Sequence, residues 1–220
     1  MTNFLKYLFT ISIILISYNL NAEDNYIKVN YGTASHDLEV SASKNTLGEM
    51  TAIKTEDTDD GFLLSAGRMI GDNWGVDLMY YDFGELSVTV DARDYIKLNN
   101  NTYEVLTSGK IKNETKGYGL GFIGAVDAGS EGFGGLSYYV KAGIHAWDRS
   151  GTKTTLLDNN VAFNADFNNQ GIGAYAGIGF SINLMSNVAL DIAYDAMGMS
   201  TNASLDNNTS LISGGLRVKF

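Results

Sequence analysis

Apolar and polar residues alternate along the chain in eight segments, and this alternation is the main structural signal in the sequence. The last segment shows it plainly, because Leu216, Val218 and Phe220 alternate with Arg217 and Lys219. A period of two residues is typical of a β-strand with one apolar face and one polar face. After residue 22, no stretch of the chain has the period of a convincing amphipathic helix. The pattern predicts an all-β chain with strands at about 25–34, 61–70, 74–88, 114–127, 135–149, 170–184, 188–200 and 209–220.

The connections between these strands alternate in length. Short connections fall at 71–73, 128–134 and 185–187, whereas long polar ones fall at about 35–60, 89–113, 150–169 and 201–208. Short turns at one end and long loops at the other are typical of an up-and-down meander whose strands cross a membrane. With eight strands, both chain ends lie on the side of the short turns.

The first 22 residues have the layout of a secretory signal peptide. Lys6 is their only charge, Tyr7–Ser17 is an apolar run, and Ala22 offers a small residue for cleavage. The run is too short for a spanning helix, which needs about 20 residues. We predict a signal peptide at 1–22 and one exported domain at 23–220.

Composition narrows the choice of function. The chain has 25 Gly, no Cys and only two His, and its formal net charge is −10. Without cysteine there are no disulfides and no zinc cluster of the usual type. The negative charge argues against nucleic acid as a partner. We expect no cofactor and no metal.

The alternation fits either a soluble barrel with an apolar interior or a membrane barrel with an apolar exterior. Full charges deep within the strands, and glycine crowded on the same face, favour the membrane barrel, whose narrow lumen takes the polar side chains. Buried ions need partners of opposite sign. We therefore predict a lumen network in which four cations pair with three carboxylates: Lys28, Arg68, Lys141 and Arg217 with Asp77, Asp191 and Asp195.

A membrane barrel must also close, because every backbone polar group in lipid needs a partner. We predict that the last strand pairs with the first one near 25–32. Aromatic residues near strand ends are expected to form girdles at the two membrane interfaces. The candidates are Tyr26, Tyr31, Trp74, Tyr80, Tyr81, Tyr118, Tyr138, Trp147, Tyr194 and Phe220.

Two stretches carry a resemblance to a known family. "GAYAGIGFSINLMSNVALDIAYDAM" (173–197) looks like its penultimate hairpin, and "SGGLRVKF" (213–220) looks like its terminal strand. In these stretches the chain resembles the small eight-stranded outer-membrane β-barrels of the OmpA/OmpX type, which include opacity-type surface proteins. The resemblance implies an outer-membrane location, contact with membrane lipid and lipopolysaccharide, and a monomer. It also implies a signal for the barrel-assembly machinery at Ser213, Gly215, Val218 and Phe220.

Eight strands enclose an interior that side chains fill, which disfavours a porin. The sequence therefore favours a structural, surface-presenting role, in which the loops contact host surfaces, other cells or lipopolysaccharide. A narrow ion or solute channel is the alternative, and a lipid A-modifying enzyme is a weaker one. We expect no enzyme, because Trp147 stands where a His-x-Ser motif beginning at His145 needs serine.

Three other groups of residues are candidates for chemistry. Asp148 and Ser150 follow His145 closely, and Ser35 and Asp37 flank His36, but neither spacing defines a catalytic triad. The acidic run 56–61 lacks the spacing of a calcium loop. We expect it to be a solvated loop, with a weak divalent-ion site bridging to lipopolysaccharide as the alternative.

Overall fold

The computed structural model describes residues 25–36, 53–56, 58–90, 95–98, 101–104, 109–128, 134–156, 162–199 and 207–220. The predicted signal peptide lies outside these ranges. Within them, no helix is long and apolar enough to cross a membrane. The strands are β1 (Asn25–His36), β2 (Ile53–Glu56), β3 (Thr58–Met69), β4 (Trp74–Val90), β5 (Tyr95–Leu98), β6 (Asn101–Glu104), β7 (Gly109–Asp127), β8 (Leu136–Leu156), β9 (Ala162–Asn183), β10 (Val188–Met199) and β11 (Asn207–Lys219).

Eight of these strands form a closed antiparallel barrel. The order is β1-β3-β4-β7-β8-β9-β10-β11, and β11 returns to pair with β1. At the seam Tyr26 lies opposite Lys219, and the Phe220 N–H donates to the Asn25 carbonyl at 2.9 Å. The predicted eight strands and the predicted closure between the first and last strands are both confirmed. The short β2 continues along β4, and β5 pairs with β6 as a separate hairpin.

The barrel wall has unequal height. We call the end with Asn25, Phe220 and the short turns the turn end, and the opposite end the loop end. At the loop end β7 begins at Gly109, β8 reaches Leu156 and β9 begins at Ala162, whereas β1 and β10 stop at His36 and Met199. The predicted loops at 89–113 and 150–169 are therefore partly strand. The extension of β8 is mostly polar and lacks the apolar alternation that predicts a strand. In the extension of β9, Phe163, Ala165 and Phe167 alternate with polar residues, and the prediction of a loop overlooked that period.

A β-bulge between Asp82 and Glu85 shifts the register of β4 against β7. Gly84 has φ 69° there, a left-handed conformation that favours glycine. Asp59 secures this bend, because its carboxylate accepts the Asp60 N–H at 2.8 Å and the Glu85 N–H at 2.5 Å. The described part of the acidic run 56–61 therefore belongs to a strand and holds the bulge, so the prediction of a solvated loop there is wrong.

Apolar side chains cover the outside of the barrel. Ile178 is 59% exposed and Ile212 64%, while the alternate residues of the same strands face inward. This arrangement confirms the membrane type of barrel over the soluble one. Tyr31, Tyr118, Tyr138 and Tyr194 also lie on the outside. The assignment of Tyr26, Tyr81 and Trp147 to the girdles is wrong, because these three rings are buried in the interior.

Candidate functional site in the barrel interior

The interior holds two packed clusters and a group of buried ions. Near the turn end a lower cluster packs Tyr26, Ile123, Tyr139 and Ala193. Near the loop end an upper cluster packs Ala34, Leu63, Met79, Tyr81, Phe83, Trp147, Tyr175, Met197, Met199 and Leu211. The buried ions, which we call the charged layer, lie around the lower cluster and below the upper one: Lys28, Asp77, Lys141, Asp191, Asp195 and Arg217.

Strand alternation brings the charged layer together. On β8, Tyr139, Lys141 and His145 point inward because they share one parity, and Lys141 falls between a ring of the lower cluster and the histidine. Glycines supply the room for large inward side chains. A Cβ on Gly117 would overlap the Tyr81 ring, and one on Gly177 would overlap the Asp195 carboxylate. The glycines on the polar face are therefore explained by the bulk of the side chains opposite them.

Asp191 is the centre of the best-connected part of this layer. Its carboxylate lies 3.5 Å from the Lys28 ammonium and accepts hydrogen bonds from Asn30 at 2.9 Å, Tyr139 at 2.8 Å and Ser181 at 2.7 Å. Lys28 also donates to the Tyr139 hydroxyl at 2.9 Å. Such a set of donors compensates a buried carboxylate for the water it has lost.

Lys141 and Asp195 form the second buried pair. Their nitrogen and oxygen atoms are 2.7 Å apart, and both side chains are almost fully enclosed. The two atoms are not aligned for a hydrogen bond, so the contact between Lys141 and Asp195 is an ion pair only. At this distance and burial the attraction depends on both charges being present.

Asp77 and Arg217 are the two remaining ions of the layer. Among the described residues neither belongs to an ion pair, and both carboxylate oxygens of Asp77 lack a hydrogen bond. Tyr26 lies beside both side chains without a well-aligned hydrogen bond to either. Three cations and three carboxylates still balance the formal charge of the layer. The structure therefore brings together two of the ion pairs that the sequence predicts and leaves these two ions outside direct pairs.

Arg68 does not belong to the charged layer, and its predicted place in the lumen network is wrong. On β3, Leu63, Ser65 and Gly67 are the inward residues, so Arg68 shares the outward face with Leu64. Its Cα partner on β4 is Val76, whereas the inward Asp77 lies opposite Gly67. The adjacent leucines of β3 hide this parity in the sequence.

The two histidines have structural partners in the interior. His145 accepts the Tyr81 hydroxyl at its Nδ1, 2.6 Å away, and donates from Nε2 to the Gly198 carbonyl at 3.0 Å. His36 contacts the Thr209 hydroxyl at 3.1 Å and the Phe83 carbonyl at 3.2 Å. These bonds hold both rings in place beside the upper cluster.

Neither histidine meets the serine and aspartate that catalysis would need. Asp148 and Ser150 point outward from β8, away from His145, and Asp148 accepts from Gln170 at 2.9 Å. Ser35 points outward from β1 whereas His36 points inward, and Asp37 lies outside the described residues. The expectation that the chain is not an enzyme stays a prediction. Across the part of the chain that is described, no three His, Asp or Glu side chains are placed to hold a metal ion.

One buried cation was not predicted from the sequence. Arg149 points inward above Trp147, donates to the Thr115 hydroxyl at 3.2 Å and contacts the Met199 sulfur at 3.5 Å. Arg149 is four residues after His145 and so shares its face of the strand, which the sequence shows. It was overlooked because it follows Asp148 and adjoins the loop predicted at 150–169. With its aromatic and sulfur neighbours it closes the interior on the loop side.

Outside the barrel at the loop end, charges pair on the surface. Lys116 contacts Asp82 at 3.3 Å and Glu114 at 2.9 Å, and Lys112 contacts Glu85 at 2.7 Å. The hydrogen bond to Glu114 is the main reason that the pKa of the Lys116 ammonium lies above its usual value. These residues stand above the row of Phe62, Tyr80 and Tyr118 rings, whose neighbouring centroids are 5.6 and 5.0 Å apart.

The predicted assembly signal lies along β11 and its end. Ser213 faces inward and accepts from Asn30 at 3.2 Å, while a Cβ on Gly215 would overlap the Val29 carbonyl of β1. Val218 and Phe220 face outward and are 39% and 44% exposed. Recognition of these residues by the assembly machinery stays a prediction.

Comparison with known proteins places the fold. No protein-family model matches the chain, and no curated relative matches it in sequence. The outer membrane protein OprG of Pseudomonas aeruginosa is similar in structure, with a TM-score of 0.51, 15% identity and coverage of 90% of this chain and 97% of OprG.

Two further structures show lower similarity. Neisserial surface protein A has a TM-score of 0.47 at 16% identity, covering 89% of this chain and 97% of that one. Ail, the attachment invasion locus protein of Yersinia pestis, solved with the heparin analogue sucrose octasulfate, has a TM-score of 0.45 at 15% identity, covering 88% and 99%. The likeness to OprG, together with the closed barrel and its apolar outer surface, makes this chain an integral membrane β-barrel with the fold of the small outer-membrane proteins.

Proposed function

We propose that the protein is a surface-presenting anchor of the outer membrane, in which a filled barrel holds the segments at its loop end outside the cell. The observation that carries this proposal is the filling of the interior. The ions of the charged layer are interleaved with the lower cluster, whose Tyr139 ring contacts Lys28, and the upper cluster of rings and methionines covers them on the loop side. An interior of this kind supports an anchor more than a water-filled channel.

The unequal height of the wall supports the same role. β7, β8 and β9 extend well beyond the apolar outer surface, as far as Gly109, Leu156 and Ala162. The outward residues of these extensions are polar and include the paired charges around Lys116. The segments 91–108 and 157–161 adjoin these strand ends in the sequence. We propose that these segments contact ligands on host cells, on other cells or in lipopolysaccharide.

Limited proteolysis of intact cells tests the orientation. Cuts are expected in 37–52, 91–108 and 157–161, and no cuts are expected at the turns 70–73 and 184–187 until the cells are lysed. The lysed sample is the matched control, because it exposes both ends of the barrel to the same protease. Cuts at the turns in intact cells would reverse the orientation and overturn the proposal.

Conductance across planar bilayers tests the filled interior. The purified protein is expected to insert without producing discrete current steps. Steps that disappear in Asp191→Asn would place ion flow through the charged layer and favour the narrow channel instead. The same preparation should migrate as a folded barrel when it is run unheated on a gel. The absence of current steps is then not confused with unfolded protein.

A further inference from the structure

The outer surface of the barrel carries an isolated charge. Between the ring row of Phe62, Tyr80 and Tyr118 and the turns, the outward positions of the described strands are apolar or small except at Arg68. Arg68 shares its face with Phe62 and Leu64, which are 38% and 43% exposed. A guanidinium therefore stands where the rest of the wall meets hydrocarbon.

Arg68 has no protein partner among the described residues. Neither an ion pair nor a hydrogen bond joins its guanidinium to another side chain, and its Cα partners are Asn25 and Val76. The outward cations at the loop end differ, since Lys112 and Lys116 both contact carboxylates. A charge that the protein leaves unmatched in an apolar surface needs a partner from outside the chain.

The position of Arg68 shows where that partner lies. The next residue pair along β3 and β4 is Met69 with Gly75, after which the turn 70–73 begins. Ile70 and Trp74 beside the turn are 55% and 50% exposed, and Phe122 on β7 is 66% exposed. A long side chain at this level extends its charged head toward the membrane interface, where the phosphates of the lipid lie.

We propose that Arg68 binds the phosphate of a phospholipid in the leaflet at the turn end. The guanidinium presents a planar fork of N–H donors that matches two phosphate oxygens at once. The exposed rings of Trp74 and Phe122 supply an apolar flank for the glycerol and upper acyl chains of the same lipid. The inference rests on the outer-membrane anchor proposed above, and it adds a ligand class and a binding residue to it.

The test compares lipid retention after a mild detergent extraction. Nanodiscs containing phosphatidylglycerol receive the wild-type protein, Arg68→Gln or Arg68→Lys. Each protein is then extracted in mild detergent, and native mass spectrometry counts the lipid molecules that remain bound. Arg68→Gln is expected to retain at least threefold less phosphatidylglycerol than wild type, and Arg68→Lys an intermediate amount because it keeps the charge without the fork. Lys112→Gln is the matched control, since it removes one exposed cation at the other end of the barrel and should retain lipid as wild type does.

A second measurement uses the wild-type protein alone, so it does not depend on whether a variant folds. Phosphatidylglycerol with a spin label on its headgroup is titrated into the protein in neutral detergent, and tryptophan emission is recorded. Trp74 is outward and Trp147 is buried, so saturable partial quenching at low lipid fraction is expected. Added inorganic phosphate should compete only weakly, because it lacks the acyl chains.

Three results would overturn the inference. They are equal lipid retention in Arg68→Gln and wild type, quenching that rises linearly without saturation, and full competition by inorganic phosphate, which would indicate a site for the free anion. Failure of the wild type to enter nanodiscs would overturn the proposed function itself, whereas the other results leave that function intact.

Discussion

The two faces of the same strands treat charge in opposite ways. On β10 the inward residues Asp191 and Asp195 each meet a lysine, while the outward Leu190 and Ile192 are 40% and 41% exposed with no ion among them. On β3 the outward Arg68 has no partner among the described residues and sits at the edge of the apolar surface. The comparison teaches that the interior holds its ions as a group of balanced charge, four of them in direct pairs, whereas the outer face holds one only where lipid headgroups are within reach.

Removing one member of the central pair should have the largest effect. Asp191→Ala leaves the buried Lys28 ammonium without its carboxylate, which we expect to cost about 3–5 kcal/mol of unfolding free energy. Urea unfolding in lipid vesicles, followed by tryptophan fluorescence, measures this loss. The double change Lys28→Met with Asp191→Leu is the control, and it should cost less than the single change because no unpaired charge remains. A double variant as unstable as Asp191→Ala would contradict the idea that pairing decides where ions are tolerated.

Placing a charge on the outer face should come next. Ile178→Arg puts a guanidinium near the middle of the apolar surface, at an expected cost of about 2–4 kcal/mol, whereas Ile212→Arg near the loop end should cost about 0–1 kcal/mol. Both isoleucines are similarly exposed, so the difference reports depth in the membrane. The same unfolding assay applies, and equal costs at the two positions would argue against a lipid-facing outer surface.

Filling a tight position in the interior should have a smaller effect. A Cβ on Gly173 would overlap the Gly198 carbonyl oxygen and approach the His145 ring, so Gly173→Ala is expected to cost about 1–3 kcal/mol. Gly124 faces outward, and the atoms nearest to its Cβ position are 3.7 Å away. Gly124→Ala should therefore be nearly neutral in the same assay. Equal effects of the two alanines would show that the interior is not closely packed.

The smallest effect is expected from a single hydroxyl. Tyr81→Phe removes the donor to His145 Nδ1 and leaves that nitrogen buried without a partner, at a cost of about 1 kcal/mol. Tyr194→Phe serves as the control, because Tyr194 faces outward and is 44% exposed. The same urea unfolding assay measures both variants, and only Tyr81→Phe should lose stability. No loss of stability in Tyr81→Phe would show that another donor reaches His145.

Much of the barrel could be predicted from the sequence, because its wall obeys a period of two. In β10 and β11 one face is apolar and the other is charged or small, so the alternation alone assigns Asp191 and Arg217 to the interior. The same rule failed in β3, where Leu63 and Leu64 are adjacent and both faces look apolar. That ambiguity put Arg68 on the wrong face.

The upper cluster escaped prediction for a related reason. Met79, Tyr80 and Tyr81 form an apolar run in which inward and outward residues cannot be told apart by polarity. Beyond the membrane neither face of a strand meets lipid, so the extension of β8 shows no clear apolar alternation. The extension of β9 keeps a short one at Phe163, Ala165 and Phe167, among polar residues that resemble a loop. The partners within the charged layer depend on the tilt and stagger of strands that are distant in sequence, and these are not written in any local pattern.

The oblique rim of the barrel has a consequence for how the molecule meets another surface. β9 runs from Ala162 to Gly171 before its first membrane-level isoleucine, Ile172, which at about 3.3 Å per residue is a wall of roughly 30 Å on one side. On the opposite side β1 ends within five residues of Tyr31. Among the described strands, the extended parts of β8 and β9 therefore offer an approaching body the outermost surface of the wall.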